Sequence, residues 1–164
     1  MSENYIVLNG KKLELTEEQL KTLGLEKRKN PFERVDAAGE YYYINGTSIV
    51  ESLSDTNGIV DNDMYRITNY FNDKQFANQV ALHQLLYRKL LKFAYDNGFE
   101  DTAEWNGTNK HWFVRWSCDT GNFIIFNEYY YKGQEVYFSS DEAAKRAGRE
   151  VIELFMEEHP DFVW

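Results

Sequence analysis

The residue types in this 164-residue chain that could do chemistry are scattered along it rather than gathered. Asp55, Asn57, Asp61 and Asp63 form an oxygen-rich stretch of the sort that holds calcium. Their spacing misses the D-x-[DN]-x-[DN]-G loop and no glutamate closes it, so an Asx-rich turn is the better reading. Asp119-Thr120-Gly121 has the composition of the aspartic-protease tripeptide. It lies between two aromatic strand-like runs with no second carboxylate motif, which makes it a hairpin turn. His83, His111 and His159 stand far apart, and with a single cysteine, Cys118, they give no zinc-ligand spacing. Cys118 ends an apolar run and reads as a buried, inert thiol. Of the ten glycines, five follow asparagine and mark turns, not a phosphate-cradling loop. The sequence therefore nominates no catalytic residue, no metal ligand and no cofactor, and an enzyme is the least supported class.

Charge suggests a different way of acting. The net charge of −9 is uneven: residues 1–35 carry a net +1, which leaves −10 on the remainder. Between Asp36 and Tyr65 there are six acids and no base. A field of that sign repels nucleic-acid phosphate and attracts basic surfaces. The candidate partner-binding residues are Glu51, Asp55, Asp61 and Asp63, with Glu100, Asp101 and Glu104 beyond the first long helix. They would present anions to a basic groove, such as that of a nucleic-acid enzyme. A second reading uses the aromatic content, which is 16% of the chain. Trp112, Trp116, Tyr129 and Tyr131, with Lys110, Arg115 and Lys132 nearby, could stack single-stranded bases. The acidic body works against every phosphate contact such a binder needs.

These residues must be positioned by a modest set of elements. With 43% apolar residues the chain can bury a core without disulfides. The N-terminus lacks a basic region followed by an apolar stretch, and no run of about 18 apolar residues occurs. A cytoplasmic protein is expected. Residues 1–25 read as a small ββα arm: Asn9-Gly10 makes a hairpin turn, Thr16 and Gln19 stand at capping-box spacing, and Gly24 ends the helix. Residues 26–35, with Lys27-Arg28-Lys29 and Pro31, read as an exposed basic linker.

The rest contains an echo. Tyr70-Phe71 recurs as Tyr137-Phe138, about 67 residues on. In both places a polar residue follows and a helix begins, with Asn72 and Gln75, then Ser139 and Glu142, at N-cap and N3 spacing. Strand-like runs precede each copy: Tyr41–Ile44, Ser48–Leu53 and Tyr65–Phe71 in the first, His111–Cys118, Phe123–Tyr131 and Glu135–Phe138 in the second. The expected fold is α+β: two tandem βββα repeats over 36–98 and 99–164, each an antiparallel sheet covered by one long helix. The apolar stripes of the helices fit internal burial or a homodimer equally.

Several phrases carry a resemblance: "LTEEQLKTLGL", "KRKNPFERV", "YYYI", "NYF" before a helix, "ALHQLLYRKLLKFAYDNG", "VYFSS" and "EHPDFVW". Over nearly its whole length the chain resembles a group of small proteins encoded by phages and prophages of low-GC Gram-positive bacteria. The group's phrase often reads Gly-Asn-Tyr-Phe, where this chain has Thr68 before Asn69. The resemblance implies a phage accessory protein made inside the bacterial host, with a host or phage protein as partner, and brings no catalytic residue with it. Accessory proteins of this size often disable a host machine, restriction and CRISPR nucleases among them, and a phage assembly part is the milder alternative.

Overall fold

The computed structural model describes residues 5–8, 10–22 and 30–164. The protein is a mixed α and β structure of short antiparallel hairpins and several helices. Strands β1 (Tyr5–Leu8) and β2 (Lys11–Glu14) pair across Gly10, whose φ of 78° suits a residue without a Cβ. Helix α1 (Glu17–Thr22) opens with the expected reciprocal cap. The Thr16 N–H donates to Gln19 Oε1 at 2.9 Å and the Gln19 N–H to Thr16 Oγ1 at 3.3 Å. Asn9 and Gly24, expected to shape the turn and the helix end, lie outside the described residues.

Strands β3 (Glu40–Ile44) and β4 (Val50–Ser54) form the next hairpin. Its turn is longer than the Asn45-Gly46 pair suggests. Asn45 Oδ1 accepts from the Thr47 and Ile49 N–H groups, and Ser48 takes a φ of 68°. The third strand expected over Tyr65–Phe71 is replaced by helix α2 (Ile59–Arg66) and one pair of strand-like hydrogen bonds between Tyr42 and Phe71, at 2.7 and 2.9 Å. The reason is local. The Asp61 carboxylate accepts the N–H groups of Thr56 and Gly58, both at 2.9 Å, and so starts a helix at Ile59 that runs into the beginning of the expected strand. Asn69 then does a strand's work with its side chain, accepting from the Ile44 N–H and donating to the Ile44 carbonyl, both at 2.8 Å.

The long helix α3 (Lys74–Asp96) follows, closed by Asn97 and by Gly98 at φ 76°. Strands β5 (His111–Ser117) and β6 (Asn122–Glu128) turn through Asp119-Thr120-Gly121, with Gly121 at φ 62° donating to the Ser117 carbonyl at 2.9 Å. The strand expected over Glu135–Phe138 again reduces to one contact, the Phe138 N–H on the Trp112 carbonyl at 2.8 Å. The final helix runs as α4 (Asp141–Ala147), a π-helical turn (Gly148–Glu153) and α5 (Leu154–Glu158). Both helix starts fall one residue later than the spacing predicts. Asp73 accepts from the Phe76 N–H at 3.0 Å, and Ser140 from the Ala143 N–H at 3.1 Å. Asn72 and Ser139 are occupied elsewhere: Asn72 holds the Asn30 and Glu33 carbonyls, and Ser139 the Asn97 carbonyl.

One apolar core joins α3 to the second hairpin and the last helix, with Leu86, Leu90 and Ala94 of α3 meeting Phe138, Ala144, Ile152 and Phe155. The π turn puts Ala147 and Ile152, five residues apart, on the same buried side. It begins at Gly148, whose bare Cα faces the Phe123 ring; a Cβ there would lie 2.3 Å from Phe123 Cε2. The C-terminal segment is clasped to α3, since Gln79 donates to the Asp161 carbonyl at 2.7 Å and accepts from the Val163 N–H at 2.9 Å. Phe162 is buried beneath it.

Helix α2 ends in a Schellman turn, the Asn69 N–H reaching the Met64 carbonyl at 3.0 Å and the Thr68 N–H the Tyr65 carbonyl at 3.1 Å. Thr68 therefore sits at φ 58°, a left-handed conformation costly for a β-branched residue. Thr68→Gly is expected to raise stability by about 1 kcal/mol, read as a higher urea midpoint at unchanged slope. Gly148→Ala, by contrast, is expected to lower it by about 1–3 kcal/mol in the same assay, because the Phe123 ring must move.

Candidate functional site

The first half is organised around two carboxylates that left the surface. Asp55 is 3% exposed and Asp61 5%. Asp55 receives a two-pronged contact from Arg34, Nε at 2.6 Å and Nη2 at 2.9 Å, together with the Tyr70 hydroxyl at 2.8 Å and the Asn57 N–H at 2.7 Å. Asp61 takes the Tyr41 hydroxyl at 3.0 Å as well as its helix-start N–H groups. Tyr41 and Tyr70 are themselves buried and lie face to face, ring centres 4.1 Å apart and 11° from parallel. Two buried aspartate–tyrosine hydrogen bonds are thus brought together by the stacked rings, and each carboxylate has its donors. The Arg34 guanidinium holds the Asp55 carboxyl well below the usual carboxylate range. Burial, with the Asp55 and Asp61 carboxylates beside them, keeps both phenols protonated, and Tyr70 is pushed up to about 12.

Drawing Asp61 inward has a direct effect on the outside of α2. On a 3.6-residue helix Ile59, Asp63 and Ile67 share one side with Val60 beside them, and Asp61 points the other way. Ile59 is 83% exposed, Val60 56% and Ile67 54%. The helix is inverted, with its carboxylate inside and its aliphatic residues outside. Asp63 and Arg66 on the outer side pair with each other at 3.0 Å, which leaves the apolar groups as the main feature of that face. Three exposed aliphatic side chains on one side of a helix make this face the candidate site.

The second hairpin has two unlike faces. Trp112, Val114, Phe123 and Ile125 pack against the core. The other face carries an aromatic layer: Phe113 and Phe126 stack at 6.0 Å, Tyr137 meets Phe113 edge-on at 5.7 Å, and Trp105 lies on His111 at 3.6 Å. The Arg115 guanidinium covers Phe113 at 4.7 Å while bonding Glu135 at 2.6 Å. Loop 100–110, which brings Trp105 in, is tied down by Lys132 on Asp101 and by the Gly107 N–H on the Tyr129 carbonyl at 3.2 Å.

The acidic residues read from the sequence do not make one exposed face. Asp55 and Asp61 are interior, since an arginine and a set of N–H groups supply what water would have. Around the stretch that resembled a calcium loop these carboxylates face donors. Glu51 is exposed but holds the Tyr43 hydroxyl and the Asn45 amide. Asp63 and Asp101 are in ion pairs, and Glu100 and Glu104 lie exposed in loop 100–110. The aromatic set is split too. Trp112 faces the core, Trp116 stacks on Trp164 at 5.9 Å, Tyr129 is half-buried beyond β6, and Tyr131 is exposed. Strand alternation separates Trp112 and Trp116 from Phe113 and Arg115, the side chains that do share the outer face. Cys118 is exposed rather than buried, being past the end of β5. Residues 30–35 are docked rather than free: Phe32 packs on Phe71 and Phe76, and the Val35 N–H reaches the Tyr70 hydroxyl at 3.2 Å. The inverted face of α2 had one signal in the sequence, Asp61 placed between Val60 and the Tyr70 phrase, but its partner Tyr41 is 20 residues away.

Compared with known protein families, with curated proteins and with solved structures, the chain matches none. Among the described residues no three His, Cys, Asp or Glu side chains gather as a metal ion would require, and no helix is long and apolar enough to cross a membrane.

Because its carboxyl is depressed in the folded state, Asp55 contributes stability that is complete above the ordinary carboxylate range and lost as pH falls below it. Asp55→Asn should therefore flatten the acid limb of a stability–pH profile measured by urea unfolding. Tyr70→Phe should cost about 2 kcal/mol at neutral pH, the penalty for removing one donor from a buried carboxylate.

Proposed function

We propose that this chain is a non-enzymatic binding protein that captures a partner protein through the outward face of α2. The observation that carries this reading is the inversion of that helix. Water would favour Asp61 outside and Ile59 inside, and the fold holds the opposite arrangement with two buried aspartate–tyrosine hydrogen bonds. The resemblance to phage-encoded proteins supports a partner in the bacterial host cytoplasm, a nuclease of a restriction or CRISPR system or another phage protein. The partner should offer an apolar recess, with basic groups at its edge to meet Asp36, Glu51 and Asp63, all exposed beside a stretch without free bases.

We also read the two halves as tandem copies of one module, each a hairpin, a Tyr-Phe bridge and a helix. Supporting this, the bridges at Phe71 and Phe138 and the caps at Asp73 and Ser140 fall at equivalent places. In both halves the tyrosine hydroxyl accepts a backbone N–H and donates to a carboxylate held by arginine, Asp55 with Arg34 and Glu135 with Arg115. Only the first copy has the inserted α2, which places the binding face on one half.

Affinity capture from the natural host with wild type and three variants tests the binding face. Ile59→Arg with Val60→Arg should abolish retention of the captured protein, by about a hundredfold or more in affinity, at unchanged thermal stability. Glu100→Gln with Glu104→Gln should retain it. The reverse pattern would return the acids of loop 100–110 to the role of binding surface and remove α2 from it.

A further inference from the structure

A groove of about 460 Å³ runs between α3 and the β3–β4 turn. Val80, Gln84 and Arg88 stand one turn apart on α3 and form one wall. Near the Val80 end lie Phe32 and Phe71, whose rings both meet Phe76, the residue one turn earlier, at 5.4 and 5.9 Å. Toward the other end Arg88 bonds the Ser48 hydroxyl of the turn. The groove is thus graded along its length, from aromatic and aliphatic side chains to a guanidinium.

Charge distinguishes it from the rest of the surface. Among the described residues its lining includes no acid and no carboxylate pairs with Arg88, in a chain whose net charge is −9. The Gln84 amide beside it also has no hydrogen-bond partner among the described residues. A guanidinium presents two parallel N–H donors that match a carboxylate, and with Arg88 as the one cation among the described lining residues a single negative charge is the fitting complement. From Val80 to Arg88 the wall is about 12 Å long, enough for a tail of about eight carbons laid against Val80 and the exposed Phe32.

We propose that this groove binds a small apolar monocarboxylate, with the carboxylate on Arg88 and the tail toward Phe32. The proposal stands apart from partner capture by α2, although Ile67 borders both surfaces. Sodium octanoate titrated into the full chain, followed by amide and side-chain NMR shifts, tests it. Saturable shifts are expected around Val80, Gln84 and Phe32, with octanamide binding about tenfold more weakly. Arg88→Gln should weaken octanoate by about tenfold or more. Arg88→Lys should lose less, and Ile59→Arg should leave binding unchanged. Octanoate that fails to saturate at millimolar concentration, octanamide that binds as tightly, or Arg88→Gln without effect would each overturn the assignment.

Discussion

The buried carboxylate of Asp55 is the constraint on which the first half of the molecule depends. A charge removed from water needs donors on every side, and three separate parts of the chain supply them: Arg34 ahead of the hairpin, Asn57 after it, and Tyr70 before the long helix, whose hydroxyl is in turn held by the Val35 N–H. None of these donors is a local neighbour in the sense of a turn except Asn57. The carboxylate can be satisfied only when segment 30–35, the end of β4 and the Tyr-Phe bridge are all in place. It ties those segments into one arrangement, because a buried carboxylate that loses any of these donors is left with an uncompensated charge.

Asp61 extends the same logic to α2. Its carboxylate starts the helix and then accepts the Tyr41 hydroxyl, so one face of that helix is fixed inward by polar contacts. Aliphatic residues at the other positions have nowhere to go but outward. A helix whose interior side is chosen by hydrogen bonds is free to place its apolar residues at the surface. The first hairpin lies between this helix and α3: the Tyr41 side looks toward Asp61, and Ile44 shares the Arg88 groove with Val80.

The second half solves the equivalent problem with less burial. Tyr137 donates to Glu135 at 3.2 Å and accepts from Gly133, and Arg115 closes the set from the outside, but that arginine is exposed. What holds this half is apolar packing: α3, the inner face of β5 and β6, and the last helix meet in one cluster, tightened by the Phe123 ring on Gly148. The long helix belongs to both halves. Its first turns serve the aromatic group around Phe76, and its later turns, through Leu86, Leu90 and Ala94, serve the core beyond.

Local chemistry made some of this legible in the chain. The Thr16–Gln19 cap, the turn at Asp119-Thr120-Gly121, the hairpins, the end of α3 at Asn97-Gly98 and the Tyr-Phe phrase before each helix all depend on residues within a few positions of one another. The remainder was decided only when the chain came together. Whether Asp55 and Asp61 face solvent depends on Arg34, Tyr41 and Tyr70, which lie 15 to 21 residues away and leave no trace in local composition. The face to which Trp112 and Trp116 turn is set by which side of the sheet the core covers, and alternation gives the pairing but not that side. The third strands failed for a similar reason: aromatic residues favour a strand, but side chains such as Asn69 and Asp61 can satisfy backbone groups just as well, and only the tertiary structure shows which groups they reach.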